Sequence, residues 1–113
     1  MTNLERLKLE LSNKAYFTDG EYTVFLQENN LVATETYAKA SNNLELLNTV
    51  IAILETGLND VDIMRKIDSK DITSIDQAYK YLDDRITKIK NKIIEIQESK
   101  EENYTNIRPL FFN

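Results

Sequence analysis

Residues 75–96 read Ile75-Asp-Gln-Ala-Tyr79-Lys-Tyr-Leu82-Asp-Asp-Arg-Ile86-Thr-Lys-Ile89-Lys-Asn-Lys-Ile93-Ile-Glu-Ile96. The large apolar side chains at Ile75, Tyr79, Leu82, Ile86, Ile89, Ile93 and Ile96 are separated by alternating gaps of four and three. That is an uninterrupted heptad seam. A strand would need a period of two, so this stretch predicts a long amphipathic helix reaching about Lys100. Ser74 and Gln77 have capping-box spacing at its start, and Ile94 lies outside the seam.

Upstream, Tyr37, Ala40, Leu44, Leu47, Ile51, Leu54 and Leu58 repeat the same alternation. They predict a second long helix from about Thr34 to Thr56, with Val50 and Ile53 widening its apolar face. Gly57 stands where a helix terminator belongs. Two seams joined by a short connection should pack as an antiparallel pair. In the connection, Asn59-Asp60 can cap a short helix carrying Val61, Met64 and Ile67, and residues 68–74 are polar. Leu47, Ile51, Leu54, Leu82, Ile86 and Ile89 are the predicted core.

The N-terminal part predicts two short helices. Leu4, Leu7 and Leu11 share a face between about Thr2 and Lys14, with Leu9 off the stripe. Tyr22, Phe25 and Leu26 share another, in a helix closed near Asn29-Asn30. Thr2 with Glu5 and Thr18 with Glu21 both have capping-box spacing. The fold class expected is all-α. It is a small bundle built on two long antiparallel helices, with short N-terminal helices and an extended C-terminal tail. The division expected is a helical domain over residues 1–102 and a tail over 103–113.

Composition agrees with that reading. Of 113 residues, 42% are hydrophobic and 29% charged, as in ordinary folded domains. Two Gly and one Pro are few for a protein of many tight turns. There is no Cys and no His. Disulfides, thiolate chemistry, the commonest general base and the commonest transition-metal ligands are therefore missing. The net charge is −5, the wrong sign for a whole-protein affinity for nucleic acid. It is unevenly spread: residues 1–60 carry four basic and nine acidic side chains, and residues 61–113 carry ten of each. No apolar run approaches the roughly 20 residues of a membrane span. The start, Met1-Thr2-Asn3-Leu4-Glu5-Arg6, has no apolar signal segment, so the chain is expected to be made and assembled in the cytoplasm.

Few residues suggest chemistry. Asp83 and Asp84 are adjacent, so on a helix they point about 100° apart and do not converge. Glu98 and Glu101 share a face but lack the His partner of a di-metal bundle site. Neither Gly20 nor Gly57 belongs to a phosphate-binding loop. No catalytic, cofactor-binding or metal site is expected. Arg85, Lys88, Lys90 and Lys92 form a basic stretch without an acid. It reads either as the solvated flank of the seam or as a dock for an acidic partner or a nucleic-acid backbone. The C-terminal residues lose the helical period yet hold Tyr104, Ile107, Leu110, Phe111 and Phe112, with Arg108 before Pro109. This strip can fold back over its own domain. Alternatively, Tyr104, Ile107, Arg108, Leu110, Phe111 and Phe112 bind a partner, since exposed Phe-Phe is otherwise a liability.

The pattern of Leu4-x-x-Leu7-Lys8-Leu9-x-Leu11, then Tyr16-Phe17-Thr18-Asp19-Gly20-Glu21, the Tyr37-to-Leu58 helix and the Asn59-Asp60 turn resembles a known family. It is similar to the small helical head–tail connector, or neck adaptor, proteins of tailed bacteriophages. The likeness covers nearly the whole chain and is one of pattern; the Ile-rich last helix and the Phe-Phe tail depart from many members. It implies a structural virion protein in the neck, assembled in the host cytoplasm. It implies a homo-oligomeric ring, often of twelve subunits, on the portal protein and neighbouring neck or tail proteins. DNA would pass through without specific binding, and the acidic N-terminal half suits such a channel. The alternative is a non-enzymatic helical regulatory or DNA-packaging helper that binds nucleic acid or a partner protein.

Overall fold

The computed structural model describes residues 1–64 and 74–107, without the side chains of Val61 and residues 101–107. Among these the regular structure is helical: α1 (Asn3–Glu10), α2 (Asp19–Glu28), α3 (Lys39–Leu58), α4 (Val61–Met64) and α5 (Ile75–Ile107). One antiparallel bridge joins Thr2 to Thr36.

The helix starts follow the local sequence. Thr2 Oγ1 accepts from the Glu5 N–H at 3.1 Å, while the Thr2 N–H donates to Glu5 Oε1 at 2.8 Å. Hydrogen bonds donated to its carboxylate by the Thr2 backbone N–H and hydroxyl hold the Glu5 carboxyl below its ordinary range. Thr18 and Glu21 make the same box at the start of α2. Asp60 Oδ1 accepts from the N–H groups of Asp62 and Ile63, opening α4. Ser74 Oγ accepts from the Gln77 N–H at 3.2 Å, at the start of α5.

The ends differ more from expectation. α2 closes as its asparagines suggest. Asn30 is left-handed at φ 65°, the Leu31 N–H reaches Leu26 O at 2.9 Å, and the Asn30 N–H reaches Gln27 O at 3.1 Å. That is a Schellman closure, with buried Leu26 and Leu31 at its two ends. α1 stops at Glu10 instead of Lys14, because Ser12 and Asn13 both turn left-handed, at φ 59° and 58°. α3 begins at Lys39 instead of Thr34. The segment before it is engaged elsewhere: Glu35 O and Ala33 O accept from the first N–H groups of α1 at 2.8 and 3.1 Å, and the Tyr37 N–H donates to Met1 O. Those bonds satisfy orphan donors at the α1 start and withhold residues 33–37 from a helix.

α5 carries its backbone to Ile107, past the boundary near Asn103 marked by the loss of period. The period reports an apolar seam, and the helical backbone continues beyond it. Residues 108–113 lie outside the described residues.

α3 is the centre. It packs against all four other helices, whereas the backbone of α5 lies against α3 and α4 only. Leu47, Ile51 and Leu54 are buried as the seam predicts, and so is a second row of Leu46, Val50, Ile53 and Gly57. A helix apolar on two adjacent rows is one covered on more than one side. On α5, Leu82, Ile86, Ile89 and Ile93 are buried. Its seam departs from expectation at the start, where Ile75 and Tyr79 are exposed and Ala78 is buried instead. Nearby, Gly57 leaves room for close approach: a Cβ there would stand 3.2 Å from Ile63 Cγ2 and 3.9 Å from Leu82 Cδ1. Ala40 is exposed as well. The radius of gyration is 16.8 Å and the extents are 58 × 31 × 21 Å. A compact chain of about 100 residues has a radius near 13 Å. The excess length comes from α5, whose 33 residues span about 50 Å.

Candidate interaction surface

The α1–α2 corner is held by one phenol. Tyr22 is buried, and its hydroxyl donates to Lys14 O at 3.1 Å. It accepts from the Tyr16 N–H at 3.1 Å and the Phe17 N–H at 3.3 Å. Burial raises its pKa. Burial also pushes Tyr16 up to about 12, with Tyr81 adding to the rise and Arg85 opposing it. Phe17 packs edge-on to Tyr22 and against Phe25. Lys8 pairs with Asp19 at 2.7 Å, and both line a pocket of about 230 Å³ with Lys14, Phe17 and Tyr22. These contacts tie the corner together.

The basic stretch on α5 is divided in two. The Arg85 guanidinium donates to the backbone carbonyl of Glu10, the last residue of α1, and lies 3.9 Å from its carboxylate. A cation suits that place, because the carbonyls at a helix C-terminus carry partial negative charge. Lys90 stands 3.7 Å from Glu55 of α3. Lys88 and Lys92 are exposed and have no ion pair among the described residues. The fourfold cluster of the sequence therefore leaves two lysines for an outside partner. A shallow groove of about 200 Å³ lies between Tyr81, Asp84, Arg85 and Lys88, but Asp84 offsets its charge.

Asp83 and Asp84 are exposed. Among the described residues, no group of three or more carboxylates comes together in a form that could hold a metal ion. No helix of the described residues is long and apolar enough to cross a membrane.

Of the residues expected to bind a partner, Arg108, Leu110, Phe111 and Phe112 lie outside the described residues. Tyr104 and Ile107 are placed only as backbone in α5.

A surface feature not visible in the sequence lies between the start of α3 and the far part of α5. Lys39, Ala40, Asn43, Ile96 and Lys100 line an open groove of about 440 Å³. Its apolar floor is Ala40 and the half-buried Ile96, both assigned to the seams by spacing. Ala40 is left uncovered in it.

A scan against protein-family models, a search of curated proteins and a search of solved structures each found no match.

Proposed function

We propose that the protein is a non-enzymatic structural subunit of a tailed-phage virion. In this reading it is a head–tail connector that forms a ring of twelve copies between the portal protein and neighbouring neck or tail proteins. The observation that carries it is the shape: an elongated helical body of 58 × 31 × 21 Å, with Leu9, Val24, Val32 and Ile94 exposed on it. The resemblance in pattern over Leu4–Leu11, Tyr16–Glu21 and the Tyr37–Leu58 stretch supplies the class. Within the subunit, α3 and α5 run antiparallel. That arrangement is supported by contacts in reversed chain order: Gly57 beside Leu82, Glu55 beside Lys90, and Ala40 sharing a groove with Ile96. Tyr104, Ile107, Arg108, Leu110, Phe111 and Phe112 grip the neighbouring subunit. The net charge of −5 suits DNA passing without specific binding. A nucleic-acid-binding helper is the weaker reading, because Arg85 and Lys90 are already engaged within the molecule.

Light scattering of the purified protein, alone and with portal protein, tests the proposal. A ring-sized mass, or a complex with the portal, is expected. A protein that stays monomeric at every concentration and binds no virion protein overturns it. The triple variant Leu110→Ser, Phe111→Ser, Phe112→Ser should keep the melting temperature and lose assembly.

A further inference from the structure

The groove between α3 and α5 is flanked by two lysines. Lys39 and Lys100 line it together with Ala40 and Ile96, and neither lysine has an ion pair among the described residues. The first turn of α3 holds no acidic residue, and its N-cap, Ala38, makes no side-chain cap. The partial positive charge of that helix start therefore adds to the lysines. An apolar floor between cations suits a protein face with an apolar side chain among carboxylates.

This chain carries such a face. α2 contains Asp19, Glu21 and Glu28 and no basic residue; Asp19 pairs with Lys8 and Glu21 caps the helix, which makes Glu28 the carboxylate with no partner among the described residues. Val24 is 53% exposed, and Glu21, Gln27 and Glu28 are exposed around it. Residues 21, 24 and 28 fall on one side of a helix by their spacing of three and four. The backbone of α2 lies against α1 and α3 and not against α5, and no residue of α2 lines the groove, so the α2 face and the groove are built from different residues. Patches that complement one another but differ in place make a head-to-tail contact, which closes into a ring when the rotation allows.

We propose that the groove of one copy receives the α2 face of the next, with Val24 on Ala40 and Ile96 and with Glu28 facing Lys39 and Lys100. This rests on the ring reading only in requiring that copies associate. The test uses two charge-reversed full-length proteins, K39E/K100E and Q27K/E28K. Neither touches Glu21, which caps α2. Circular dichroism checks that each variant keeps its helicity, and sedimentation velocity follows association with and without portal protein. Each variant alone should need at least a tenfold higher concentration to associate than the unaltered protein. An equimolar mixture should recover association, because the reversed groove then meets a reversed α2 face. Variants that associate like the unaltered protein overturn the inference and leave the ring reading standing. The inference is equally overturned if both variants lose association and the mixture fails to recover it. An unaltered protein that is monomeric under all these conditions overturns the ring reading itself, and this contact with it.

Discussion

A single hydroxyl closes the turn between α1 and α2. Tyr22 serves two backbone donors and one backbone acceptor, all within residues 14–17. Tyr22→Phe keeps the ring in place and strands those groups, so it should cost about 1–3 kcal/mol, measured by urea denaturation. Tyr16 adds a dependence on pH. Its folded pKa of about 12 lies above the ordinary 10.0 because the phenol is buried. Between those values the unfolded chain has lost a proton that the folded chain keeps, so stability falls as pH rises. The contribution is fully present below pH 10.0 and is lost as pH climbs through about 12. Urea midpoints should decline across that window, and Tyr16→Phe should make the decline shallower. Neither role was legible in the sequence. There, Tyr16 entered only through the resemblance and Tyr22 only as part of an apolar face, because the partners of a phenol depend on how the chain turns.

At the scale of elements, α5 shows what periodicity decides and what it leaves open. The alternation of four and three places Ile86 and Tyr79 on one seam. The structure buries Ile86 to 4% exposure and leaves Tyr79 at 50%. Ile86→Ala should therefore cost about 2–5 kcal/mol. Tyr79→Ala should change stability by no more than about 0.5 kcal/mol. Thermal melts of the two variants check the contrast; equal losses would mean that the seam is covered along its whole length. A seam names the residues able to face a partner, and the partner's length sets how many are covered. α3 has 20 residues against 33 in α5, so the shorter helix cannot cover the longer one from end to end.

For the whole molecule, Arg85 links layers that the backbones leave apart. It sits on α5, α1 has no backbone contact with α5, and its guanidinium reaches the terminal carbonyl of α1. Arg85→Met keeps the stem and removes the donor, at a cost of about 1 kcal/mol for a partly exposed group. Hydrogen exchange should quicken at the end of α1, around Leu7 to Leu11, while the amides of α5 near Ile86 keep their protection. Uniform quickening would show that the link holds the whole domain and not one element. An arginine joined to a helix end also has less to offer an outside phosphate. The structure thus narrows the choice that the sequence left open for residues 85–92.

What the sequence determined by itself was local. All-helical character, the Thr2–Glu5 and Thr18–Glu21 boxes, the Asp60 and Ser74 caps and the Asn30 closure depend on residues a few positions apart. Their geometry is set by the backbone of a single turn, wherever that turn lies in the molecule. Tertiary structure decided what depends on distant partners. It buried the second row on α3 by surrounding that helix, and it moved the start of α3 to Lys39 by binding residues 33–37 to α1. It also brought Ala40 beside Ile96 to form a lysine-flanked groove. No spacing rule reaches across such separations, because the energy that fixes them belongs to the packed whole and vanishes when any one segment is taken alone.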